Sequence, residues 1–84
     1  MENNKATNAT EQDALAAVHQ ADGILHLFSE HLDGSVVLAS LPQGRPQKWV
    51  TWRVVHSGVV CAGHYFDTIQ AAQRDFLARI GYRS

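Results

Sequence analysis

Residues 48–80, KWVTWRVVHSGVVCAGHYFDTIQAAQRDFLARI, constrain the fold more than any other part of the chain. Lys48 to His56 is rich in Trp, Val and Thr, residues that suit a pleated, half-buried surface. Ser57-Gly58 reads as a two-residue turn, and Val59 to Phe66 as the returning strand. Asp67 stands at a helix start with Gln70 three residues on, the spacing of a capping box. Ile69, Ala72, Phe76, Leu77 and Ile80 then recur at helical spacing, and Gly81 ends the helix.

Upstream, residues 1–9 read as a disordered leader, and residues 10–84 as a single domain. Thr10 caps a helix with Asp13 as its acidic partner. Val18, Ala21, Leu25, Phe28 and Leu32 alternate spacings of three and four, which predicts one helix running to about Leu32, with Leu15 extending the same buried stripe. Gly23 is a point of weakness inside it, and Gly34 a stop. Ser35 to Ser40 reads as a strand, and LPQGRPQ as a loop broken by Pro42, Gly44 and Pro46. The expected fold is α+β, in the order α-β-β-β-α: a three-stranded antiparallel meander packed with two helices.

A turn at Ser57-Gly58 pairs strand residues whose numbers sum to 115. One face then collects Val50, Trp52, Val54, Val59, Cys61, Gly63 and Tyr65. It is nearly all apolar and is expected to pack on the last helix, with the Trp52 ring covering the bare backbone of Gly63. The other face collects Trp49, Thr51, Arg53, Val55, Val60, Ala62, His64 and Phe66. Either the first helix covers this mixed face, or part of it is open and binds a partner, since Trp and Arg are common interface anchors.

Chemistry is sparse. The apolar fraction of 45% is that of an ordinary globular chain. A single cysteine, Cys61, excludes an internal disulfide and a closed cysteine-rich zinc site. Its place on the expected core face makes it a buried thiol, with His64 on the opposite side. Of the five histidines, His19 and His26 could share a helix face, but no carboxylate–histidine metal motif accompanies them. There is no glycine-rich phosphate loop. The expectation is therefore a non-enzyme with no catalytic residue, no metal and no cofactor. No apolar run has the length of a membrane span, and a cytoplasmic protein is expected.

Charge is unevenly placed. Residues 1–33 hold one base against six acids, and residues 34–84 six bases against two acids, within a net charge of −1. Such asymmetry steers charged partners. Glu11, Asp13, Asp22 and Glu30 are candidates for an acidic helix face that imitates nucleic acid. Arg45, Lys48, Trp49, Thr51, Arg53 and His64 are candidate binding residues of the hairpin.

KWVTWRV followed by AGHYFDTIQAAQRDF resembles the strand–strand–helix part of AP2/ERF-type DNA-binding domains, with Gly63, Phe66, Asp67, Thr68, Ala71 and Ala72 at matching structural positions. The resemblance implies a three-stranded sheet laid in the DNA major groove with the helix behind it. The chain departs from it where the family reads DNA: Trp52 and Val54 replace a polar and a basic residue. The element order is also similar to that of double-stranded-RNA-binding domains, without their lysine-rich last helix.

The leading expectation is a small non-catalytic regulatory protein that occludes a protein partner's surface. In size and simplicity it is similar to inhibitors carried by phages and plasmids, anti-CRISPR proteins among them. The alternatives are nucleic-acid binding through the hairpin, with Arg45 and Lys48 on phosphates, and a homodimeric interaction domain joined by sheet faces or first helices.

Overall fold

The computed structural model describes residues 9–31, 34–42, 47–55 and 59–81. Helix α1 spans Glu11–Gln20. It starts as its sequence requires. The Asp13 N–H donates to Thr10 Oγ1 at 3.2 Å, and the Thr10 N–H donates to Asp13 Oδ2 at 2.9 Å, so the cap satisfies both orphan groups. Of the expected leader only Ala9 is described; it is buried, and its carbonyl accepts the Ser35 hydroxyl at 2.6 Å.

The helix does not run to Leu32, a residue outside the described set. It closes after Gln20 in a Schellman arrangement, with Asp22 N–H on the His19 carbonyl and Gly23 N–H on the Val18 carbonyl, both at 2.9 Å. Asp22 takes the left-handed position, φ 60°. Gly23 must be glycine, because a Cβ there would lie 2.8 Å from the Ser40 carbonyl oxygen.

The next element is a strand, β1 (Ile24–Ser29), so the sheet has four strands, not three. The helical spacing of Leu25 and Phe28 comes from a β-bulge. Leu25 pairs with Ala39 but Leu27 with Leu38, so His26 is the extra residue. The bulge advances the alternation by one and returns Leu25 and Phe28, three apart, to one face. A bulged strand thereby copies helical periodicity.

The order is β1-β2-β3-β4, all antiparallel, with β2 at Ser35–Ser40, β3 at Trp49–Val54 and β4 at Val60–Phe66. Helix α2, Ile69–Arg79, completes the fold. Its N-cap is Thr68, not Asp67: the Thr68 hydroxyl accepts the Ala71 N–H at 3.2 Å. Gly81, φ 77°, ends it as expected.

The two helices lie on opposite faces of the sheet. Val37, Ala39, Val50, Trp52 and Val54 pack with Ala14, Ala17 and Val18 of α1. Val36 and Leu38 pack with Ala72 and Phe76 of α2, with Trp49, Phe66 and Ile80 alongside. The Trp52 face is therefore interior, but α1 covers it rather than the last helix, and α2 covers the mixed Trp49 face. Strand β2 is buried from both sides, which is why SVVLAS has no polar–apolar alternation at its centre. Leu15 and Leu77, expected in the core, remain more than a third exposed.

Each helix is also offset. The main contacts of α1 are with β1, β2 and β3, and those of α2 with β2, β3 and β4. The offset leaves Ile24 and Leu27 of β1 open on the α2 side and Tyr65 of β4 open on the α1 side, where Val60 still packs against the core. No helix among the described residues is long and apolar enough to cross a membrane.

Candidate functional site

The first polar constellation is built around a second bulge. The predicted register holds for Trp49 with Phe66, Val50 with Tyr65 and Thr51 with His64, then shifts so that Arg53 meets Cys61 and Val54 meets Val60. Trp52 faces both Ala62 and Gly63. Its ring lies over Gly63 as expected, and a Cβ on that glycine would stand 2.9 Å from Trp52 Cδ1. Ala62 adopts φ 54°, the left-handed conformation that costs an L-residue about 1–2 kcal/mol. The Ser57-Gly58 turn lies outside the described residues.

The bulge turns the Ala62 carbonyl toward α2, where Arg79 Nη2 donates to it. Arg79 is held by its Nε, which donates to Thr51 Oγ1 and to Asp75 Oδ2, both at 3.1 Å. Asp75 Oδ2 also accepts the Thr51 hydroxyl at 2.5 Å and a hydrogen bond from His64 Nδ1 at 3.0 Å. Burial acts to raise the Asp75 pKa, but hydrogen bonds from Thr51, His64 and Arg79, with the charge of His64, outweigh it, and the carboxyl lies below its ordinary value. Asp75 and Arg79 were not among the sequence candidates. Their spacing of four on the sheet-facing side of α2, opposite a strand Thr, was the available signal.

The bulge also moves Cys61. Past it, the alternation on β4 is reversed, so Cys61 is exposed and shares a face with His64. The expectation of a buried thiol opposite His64 is overturned by that one extra residue. The His64–Asp75 pair has the form that fixes an imidazole tautomer. Here every other partner of Asp75 belongs to the clasp that closes the bulge, so its evident work is to lock β4 to α2.

The second constellation is the bare strip of β1 on the α2 side. Ile24 is 64% exposed and Leu27 40%. Between them the His26 ring bonds Ser40 Oγ at 2.9 Å and tilts against Trp49, with ring centroids 5.3 Å apart. Lys48 Nζ stands 5.4 Å from the Trp49 ring centroid, within cation–π range.

The sequence candidates thus divide. Lys48 and Trp49 join the strip. Thr51, fully buried, and His64 belong to the clasp. Arg53 turns back to the fold: its Nη1 donates to the Gly34 carbonyl at 3.1 Å, and its aliphatic stem lies where a Gly34 Cβ would be. Arg45 lies outside the described residues. The acidic helix face is not formed. Glu11 and Asp13 sit in the first turn of α1, where Asp13 is used by the cap, while Asp22 and Glu30 flank β1. His19 and His26 are likewise separated, one on α1 and one on β1. Among the described residues no group of three or more His, Cys, Asp or Glu is placed to hold a metal ion.

The sheet face opposite α2 carries α1. Comparisons with protein families, curated proteins and solved structures found no match to the chain.

Proposed function

We propose that the chain is a small protein-binding module. It docks through the strip of Ile24, His26, Leu27, Lys48 and Trp49 onto an apolar segment of another protein that carries a carboxylate opposite Lys48. The supporting observation is the exposure of Ile24 and Leu27 beside Trp49, created by the offset of α2. An aromatic floor, two aliphatic side chains and one cation at the rim have the composition of an interface centre. Occlusion of the partner's surface is the mode of action in this reading. Thr51, Arg53 and His64 are engaged within the fold, which leaves few of the hairpin candidates for nucleic acid.

Affinity capture from the source cell tests it, comparing the native chain with Ile24→Asp/Leu27→Asp and with Lys48→Glu. The captured protein should be lost from both variants while their circular dichroism is unchanged, and nuclease should make no difference. Capture that survives the double variant, or that disappears with nuclease, refutes the reading.

A further inference from the structure

Strand β1 stands at one edge of the sheet, yet it has the composition of an inner strand. ILHLFS carries apolar side chains on both faces and no Lys, Arg, Asp, Glu or Pro, and charge and proline are the usual guards of an edge. The faces can be followed through its bulge. Ile24 pairs with Ser40 and Leu27 with Leu38, so both lie on the α2 side, and both are exposed. Leu25 pairs with Ala39 and Phe28 with Val37, so both lie on the α1 side, half-buried against its core. The other edge has no such run. β4 holds Ala62, Gly63 and His64 at its centre, and Ala62 is left-handed rather than extended.

The main-chain groups of β1 follow from one bond. The Leu41 N–H donates to the Lys48 carbonyl at 2.7 Å, which makes these two a hydrogen-bonded pair between β2 and β3. Antiparallel ladders alternate, so Ala39 and Val37 also turn their N–H and C=O to β3, while Ser40, Leu38 and Val36 turn theirs to β1. Those three bond Ile24, Leu27 and Ser29. Leu25 and Phe28, the partners of Ala39 and Val37, therefore direct N–H and C=O outward. They are three apart in sequence but face β2 residues two apart. The bulge thus sets them at the spacing of a regular strand, and a strand laid along this edge would meet both in step.

We propose that the partner's segment docks as an extended strand added to the outer edge of β1. The proposal rests on the partner-binding reading and names the form of its ligand: a run of consecutive apolar residues without proline. Alternate side chains of that run cover Ile24 and Leu27, and those between them lie beside Leu25 and Phe28. Main-chain bonds to Leu25 and Phe28 supply affinity, and the two apolar faces select the sequence. A helix laid on the strip would cover Ile24 and Leu27 but could not bond the outward main-chain groups, because its own are used within it.

Phage-displayed random heptapeptides, selected on the full native chain, are the probe. Recovered peptides should share an apolar run without proline. With such a peptide bound, the amides of Leu25 and Phe28 should exchange with deuterium at least about tenfold more slowly, as followed by nuclear magnetic resonance. Leu25→Pro removes an outward N–H that β2 does not use and should weaken the peptide about tenfold. The exchange measurement on the native chain carries the test if that variant fails to fold. Peptides that leave both amides unprotected, or that bind folded Leu25→Pro as they bind the native chain, overturn strand addition; if Ile24→Asp/Leu27→Asp still abolishes their binding, the strip itself stands. Peptides indifferent to Ile24→Asp/Leu27→Asp refute the underlying reading. A selection that recovers no peptide, or a native chain that self-associates with these two amides protected, also overturns the proposal.

Discussion

The indole of Trp52 occupies the space where a side chain on Gly63 would begin, with Cδ1 2.9 Å from the missing Cβ. The next residue back, Ala62, has a side chain but the backbone conformation of a glycine, φ 54°. The small residue and the left-handed residue of this bulge are thus different positions. Substitutions at the two should act in opposite directions. Gly63→Ala drives a methyl into a packed ring and should cost about 1–3 kcal/mol. Ala62→Gly relieves about 1 kcal/mol of backbone strain, partly offset by a freer unfolded chain, and should be neutral to slightly stabilising. Urea denaturation of both variants checks this; a loss at Ala62→Gly as large as that at Gly63→Ala contradicts it.

The clasp predicts a dependence on acid. The Asp75 carboxyl is held below its ordinary value in the folded chain. A carboxyl of depressed pKa contributes stability that is complete above its unfolded value, about 4, and is lost as the pH falls through the folded value. Stability should therefore decline below about pH 4 in the native chain and decline less in Asp75→Asn. At neutral pH that variant should be less stable by about 1–3 kcal/mol, because the donors from Thr51, His64 and Arg79 then converge on a neutral amide oxygen in place of a carboxylate. Denaturation of the two proteins across this pH range is the measurement, and parallel curves would count against the clasp.

Thr51→Val isolates one arm of it. Thr51 is fully buried, and its hydroxyl both donates to Asp75 and accepts from Arg79. Valine keeps the shape but leaves Arg79 one acceptor short beneath the bulge. A loss of about 1–2 kcal/mol is expected, with the change smaller in an Asp75→Asn background, where the network is already broken. A double-mutant cycle measures the coupling, and additive losses would show that the two residues act separately.

What could be read from the sequence was local and unbroken. The Thr10–Asp13 box, the outer register of the β3–β4 hairpin, the Gly63–Trp52 contact and the Gly81 stop each depend on a few neighbouring residues. Two of the misreadings, the length of the first helix and the place of Cys61, share one physical cause. A bulge inserts a single residue and reverses every face beyond it. At His26 it gave a strand the spacing of a helix, and the true helix end was hidden because Asp22, not glycine, takes the left-handed position. At Ala62 it carried Cys61 from the expected interior to the surface. The choice of helix for each sheet face was not legible either, because Trp49 and Phe66 make the mixed face apolar enough to pack on α2. Of the candidate site, Lys48 and Trp49 were visible in the hairpin. Ile24 and Leu27 fall inside the stretch that reads as the first helix, and the offset of α2 that exposes them is a property of the assembled layers.

That offset can be measured at a single cross-strand pair. Leu27 and Leu38 are partners in the β1–β2 ladder and so share the α2 side of the sheet. Leu38 is fully buried under α2, while Leu27 is 40% exposed beyond its reach. Identical truncations should therefore have unequal effects. Leu38→Ala removes a side chain from a closed core and should cost about 2–5 kcal/mol. Leu27→Ala leaves no enclosed cavity and should cost about 1 kcal/mol or less. Equal losses in chemical denaturation would mean that α2 extends over β1 in solution, and the strip assigned to partner binding would then be covered.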